Sequence, residues 1–211
     1  MNNLQKKNCQ HIQNIVKRDI MESSITTTIH QQIIISGVGG QGVLLISRLL
    51  AEAAMIKGCR VLTSETHGMA QRGGAVVSHL KVGEFSSPLI RPQAADGLLA
   101  LKPESLAQYS NFIKPGGWAV VNSPAALSGF SGLSVTAVDA DAKAGTIGNP
   151  KSVNLVLMGA ALSHTSEGVP LLFCSLSDVQ MVLREQFSNA PETLEKFLAA
   201  VEAGFSSCQS F

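Results

Sequence analysis

Residues 33–43 run Ile33-Ile34-Ile35-Ser36-Gly37-Val38-Gly39-Gly40-Gln41-Gly42-Val43, and this stretch decides the fold. Three consecutive β-branched residues predict a strand buried on both faces. The glycines that end it at Gly37 fit the pattern G-x-G-x-x-G through Gly42. A helical stretch follows from Val43 to Lys57, with Leu44, Ile46, Leu49, Leu50, Ala53 and Ala54 on its apolar side, and Gly58 terminates it. Arg60 to Ser64 is a second strand. Strand, glycine loop, helix and strand form the βαβ unit of a parallel sheet. A glycine loop opening a helix favours an anion, through free N–H groups and the helix dipole. Glu65 then stands where a dinucleotide-binding fold places its ribose-binding acid. A tight strand-to-helix turn against a neighbouring element is the other reading of the same glycines.

Working outward, Ala75–Val82, Gly97–Leu101, Trp118–Asn122 and Leu133–Val138 read as further strands, and Lys114–Gly117 as a turn. Pro103–Phe112, Val153–His164, Ser177–Phe187 and Glu192–Phe205 read as helices. The expected fold is a three-layer α/β domain over residues 32–211, with a mostly parallel sheet and closing C-terminal helices. Residues 1–31 are polar, without Gly or Pro, and read as a leader: a short amphipathic helix on Ile12, Ile15, Val16 and Ile20, or a loosely held segment. Met21 is another candidate start.

Hydrophobic residues are 45% of the 211, enough for a sizeable core, whereas charged residues are 15% against about 25% in ordinary domains. Sparse charge fits a chain that hides surface in an interface. Sixteen Lys and Arg against fifteen Asp and Glu leave no basic excess for nucleic acid. The four cysteines, Cys9, Cys59, Cys174 and Cys208, are isolated, so they frame no metal or iron–sulfur motif and suit a reducing cytoplasm. No apolar run is long enough to span a membrane.

The segment Glu65-Thr66-His67-Gly68-Met69-Ala70-Gln71-Arg72-Gly73-Gly74 is unlike the loop that completes a dehydrogenase. With GVGGQG it resembles the gamma-type domain of the 2-oxoacid:ferredoxin oxidoreductases, most closely the beta subunit of the indolepyruvate enzymes. The matching stretches are 33–54, 63–83, 87–90, 95–106 and 148–160, in family order; HGMAQRGG is specific to that family and the glycine fingerprint is not.

The resemblance implies an accessory subunit of a complex that oxidatively decarboxylates aryl 2-oxoacids to acyl-coenzyme A and passes electrons to ferredoxin. It implies that thiamine diphosphate, Mg and [4Fe–4S] clusters belong to a large partner subunit, with coenzyme A as co-substrate. This chain has neither paired cluster cysteines nor the G-D-G…Asn element that holds the diphosphate, so it is expected to be inactive alone. A branched-chain or pyruvate-type 2-oxoacid, and a stand-alone NAD- or FAD-dependent dehydrogenase, are the alternatives.

The candidate cofactor-binding residues are Gly37, Gly39, Gly40, Gly42, Gln71 and Arg72. Gly37, Gly39, Gly40 and Gly42 present backbone amides to coenzyme A or to the partner. Arg72 offers a planar fork to a carboxylate or pyrophosphate, or a salt bridge to Glu65. Gln71 orients Arg72 or a ligand. His67 titrates near neutrality or hydrogen-bonds the loop backbone. His79 reads as a satisfied sheet residue, and Asn149 and Asn154 as helix caps. His11, His30 and His164 carry no expected role.

Overall fold

The computed structural model describes residues 29–67, 74–166 and 169–206. Six strands form one sheet: β1 (Gln31–Val38), β2 (Val61–His67), β3 (Ala75–Val82), β4 (Ala95–Ala100), β5 (Ile113–Asn122) and β6 (Ser134–Val138). Their order is β2-β3-β1-β4-β5-β6. The ladders β1–β4, β4–β5 and β5–β6 are parallel, while β3 runs antiparallel to both β1 and β2. The first two strands therefore share a direction but do not touch, because β3 lies between them. The reason is chain length: residues 68–74 are too few for a crossover, and an antiparallel return is the connection they can make.

Covering both faces of β1 explains its unbroken apolar run. Ile33 and Ile35 enter the larger core, beneath helices α1 (Val43–Ile56), α3 (Ala140–Thr146), α4 (Val153–Ser163), α5 (Leu176–Gln186) and α6 (Pro191–Ser206). Ile34 enters the smaller one, with Leu98, Ala100 and Leu106, beneath α2 (Pro103–Tyr109) and a 3-10 turn at Ser110–Phe112. Buried hydroxyls pair across the layers, Ser47 with Ser78 at 2.7 Å and Ser36 with Ser105 at 3.1 Å, which removes the cost of burying them unbonded.

Helix α4 is apolar all round because the sheet lies on one side and α6 on the other. The two helices meet through glycines. A Cβ added to Gly159 would land on the carbonyl oxygen of Val201, and one added to Gly204 on that of Val156.

Several local expectations change. The second strand, expected over Arg60–Ser64, runs from Val61 through His67. Polar residues are accommodated there because β2 is an edge strand, with Thr63, Glu65 and Thr66 exposed. Lys114–Gly117 lie inside β5. Ala95 pairs with Ile113 and Gly97 with Trp118, so these residues bulge out, with Gly116 at φ 76°. Leu44 is 40% exposed, because it shares the outer face of α1 with exposed Arg48, one turn on, while Val43 is buried with Ile46 and Leu50. Helix α3 was not expected; its signal is Asp139, whose side chain accepts from the Ala142 amide at 2.9 Å. A small hairpin, β7 (Thr165–Ser166) and β8 (Val169–Pro170), was also not expected. Met1–Thr28 of the expected leader lie outside the described residues, while Gln31 is the first residue of β1.

Candidate active site at the glycine loop

After β1 the chain crosses to one face through α1; after the neighbouring parallel strand β4 it crosses to the other through α2. Such a divergence opens a crevice at the carboxyl ends of the two strands, where open α/β sheets place their ligands. The glycine loop lines that crevice. Gly40 and Gly42 have φ of 90° and 79°, conformations that side chains rarely adopt. Gly42 is the N-cap of α1.

Gln41 fills part of the crevice with its own amide. Its Oε1 accepts from the Val38 N–H at 2.9 Å, and its Nε2 donates to the Leu101 carbonyl at 3.4 Å. The same carbonyl accepts from Asn122 Nδ2 at 3.4 Å. Asn122 in turn donates to Asp141 at 2.7 Å and accepts from the Ala140 amide at 3.0 Å. A chain of hydrogen bonds thus ties the carboxyl ends of β1, β4 and β5 together. Gln41, Asn122 and Asp141 had no role in the sequence reading.

Asn154 closes the loop from the side of α4. It is 4% exposed, its Nδ2 donates to the Gly42 carbonyl at 3.4 Å, and it occupies the space where a Cβ on Gly42 would go. It lies within α4 and holds the loop, so it is not the cap that its position implied. Asn149 makes no side-chain cap either. The hydroxyl of Ser152, two residues earlier, is buried without a hydrogen-bond partner among the described residues. Exposed Lys102 and Lys151 adjoin Leu101 and Ser152 in the chain.

The loop amides divide into two groups. Gly39 donates to the Gly74 carbonyl at 3.0 Å and Gln41 to that of Val38 at 3.1 Å, whereas Gly40 and Gly42 donate to no described residue. The bond from Gly39 to Gly74 brings two sequence motifs together. His67 pairs with Val76, and Val76 with Gly37, so the connection 68–74 leaves and rejoins the sheet beside the glycine loop. Gln71, Arg72 and the side chain of His67 lie outside the described residues. Glu65 is exposed on β2, with β3 between it and β1. This is one strand farther from the loop than a ribose-binding acid at a dinucleotide site.

His79 is a satisfied sheet residue: its Nδ1 accepts from the Ile90 N–H at 3.2 Å. Burial, and after it the charge of Lys81, lower its pKa from the usual 6.5. Cys174 is 5% exposed, and burial pushes its thiol up to about 12, which makes it chemically inert. Among the described residues no group of three His, Cys, Asp or Glu is placed to hold a metal ion. No described helix is long and apolar enough to cross a membrane.

Residues 32–207 match the family described as pyruvate ferredoxin/flavodoxin oxidoreductase. The indolepyruvate oxidoreductase subunit IorB of Archaeoglobus fulgidus is 44% identical over 91 residues, 43% of this chain and under half, 45%, of that relative. Its counterpart from Thermococcus kodakarensis is 34% identical over 194 residues, covering 82% of this chain and 93% of the relative. The solved gamma subunit of a keto/oxoacid ferredoxin oxidoreductase from Geobacter sulfurreducens superposes with a TM-score of 0.66 at 28% identity, over 86% of this chain and 99% of that one. The chain therefore belongs to the pyruvate ferredoxin/flavodoxin oxidoreductase family.

Proposed function

We propose that residues 32–211 form one gamma-type domain, the accessory subunit of a cytoplasmic, ferredoxin-linked enzyme that decarboxylates an aryl 2-oxoacid of the indolepyruvate kind to an acyl-coenzyme A. The observation that carries this reading is the Gly39–Gly74 hydrogen bond. It joins the glycine fingerprint to the family-specific connection at the crevice between β1 and β4, where two loop amides and the start of α1 have no described partner. The similarity to two indolepyruvate oxidoreductase subunits supports the aryl substrate.

The donors of this chain do not fit an iron–sulfur cluster: its four cysteines are far apart in sequence, and Cys174 is sealed in the core. The clusters, Mg and thiamine diphosphate are assigned to the large partner subunit. The glycine loop contributes an anion site for the phosphate or carboxylate of a co-substrate such as coenzyme A, its backbone fixed by Gln41 and Asn154. Arg72 and Gln71, which belong to the 68–74 connection, are assigned as further contacts to that anion, with His67 as a contributor from the same motif. Arg72→Lys keeps charge but not the fork, and is expected to lower kcat/KM of the assembled enzyme about tenfold or more. A rise confined to the coenzyme A KM would place the loop at the coenzyme.

The dinucleotide alternative has the loop and the helix start in its favour, but Glu65 is displaced by β3 and Gln41 already spans the crevice. Thermal-shift titration separates the readings. Stabilisation by coenzyme A, in the chain or the complex, with none by NADH or FAD, is expected; stabilisation by NADH or FAD alone would overturn the assignment.

A further inference from the structure

Lys81 lies on β3, on the face of the sheet that carries Val77 and His79, and it is 7% exposed. A lysine so covered ordinarily has a carboxylate beside it. Lys81 has none among the described residues. The ion pairs there are Arg48–Glu52, Lys57–Asp178, Arg60–Glu84 and Lys114–Asp96. Glu84, the nearest acid in sequence, is thus taken by Arg60 at 2.7 Å.

An aromatic ring and a second cation act on the ammonium. Its Nζ lies 5.0 Å from the centroid of the Phe85 ring. The bond from the Ile90 N–H to His79 Nδ1 anchors the chain so that the next residue, Arg91, adds its charge to that of Lys81. Burial, and then Arg91, hold the Lys81 pKa below its usual value. Leu89 is 53% exposed, and Leu62, opposite Lys81 on the edge strand β2, is half-buried. Aromatic, leucine and arginine side chains around a covered base are the composition of an interface centre, where charged residues other than arginine are scarce. Lys81 is also paired with Gln32 at the amino-terminal end of β1, the opposite end from the glycine loop.

We propose that Lys81 and Arg91, framed by Phe85 and Leu89, receive a carboxylate-bearing segment of the large partner subunit, which makes this sheet face a subunit interface. The proposal rests on the assembly put forward above. Its occupant follows from charge: two cations without a described acid call for an anion, and the apolar rim calls for a protein surface.

The test is reconstitution with the thiamine-diphosphate-binding subunit, with affinity measured by sedimentation at about 0.05 M and about 0.5 M salt, where charge attraction is respectively strong and screened. Lys81→Met keeps the buried stem, and Arg91→Gln changes an exposed residue. The double variant is expected to bind about tenfold or more weakly at low salt, with little remaining salt dependence. The free variant should melt no lower than the wild type, and Lys81→Arg should bind normally. If the double variant does not fold, Arg91→Gln alone carries the test and should bind several-fold more weakly. Unchanged affinity and salt dependence, or loss of coenzyme A or phosphate binding with assembly intact, would overturn the proposal while leaving the proposed function standing. A wild-type chain that never joins the subunit would remove both.

Discussion

Glycine serves opposite purposes in the α4–α6 seam and in the loop after β1. In the seam, Gly159 and Gly204 lie in regular helices; what they provide is space, since each would drive a Cβ into the backbone of the other helix. In the loop, Gly40 has open space around it, and what it provides is a backbone of positive φ. Gly42 needs both, because its φ is 79° and Asn154 fills the room beside it. Between these two regions, close approach shapes the seam, and positive φ shapes the loop where two amides have no described partner. A glycine is therefore informative about function only after its space and its φ have been separated.

The sharpest way to break this comparison is Gly159→Val. The atom it strikes is backbone of a packed helix and cannot rotate away, so a loss of about 3 kcal/mol or more is expected, seen as a large fall in Tm or as failure to fold. Next comes Gly42→Val, with strain of about 1–3 kcal/mol. If Asn154 contributes to that cost, Gly42→Ala combined with Asn154→Ala should be less destabilised than the two single changes add up to. Strict additivity in denaturant melts would show that Asn154 is not the obstacle. Gly40→Ala is the smallest change, about 1 kcal/mol from φ alone. Its fold should survive, and a weaker grip on coenzyme A with little change in Tm would mark the loop as functional. If Gly40→Ala proved as damaging as Gly159→Val, the division between space and φ would collapse.

Much of the fold was legible because it rests on local signals. The strand Ala75–Val82 and the helix beginning at Val43 follow from periodicity and punctuation, and so do the two closing helices. Strand order was less legible: it required noticing that residues 68–74 are too short to cross over, which inserts β3 between the first two strands. The loop was readable as a site, but what holds it was not. Gln41 reaches Leu101 across 60 residues and Asn154 reaches Gly42 across 112. Amide side chains carry no periodic signal that marks such partners. Leu44 was misassigned for a different reason: Val43 and Leu44 are both apolar, and only the burial of Val43 with Ile46 and Leu50 shows which of the two faces the core.

The most direct measurement is of viologen reduction, with indolepyruvate and coenzyme A as substrates, by the purified chain, by the thiamine-diphosphate-binding subunit, and by their mixture. The account predicts no turnover by this chain alone and turnover only when the two are combined. Reduction of the dye by this chain alone, or an identical rate from the partner with and without it, would contradict its role as a required accessory subunit.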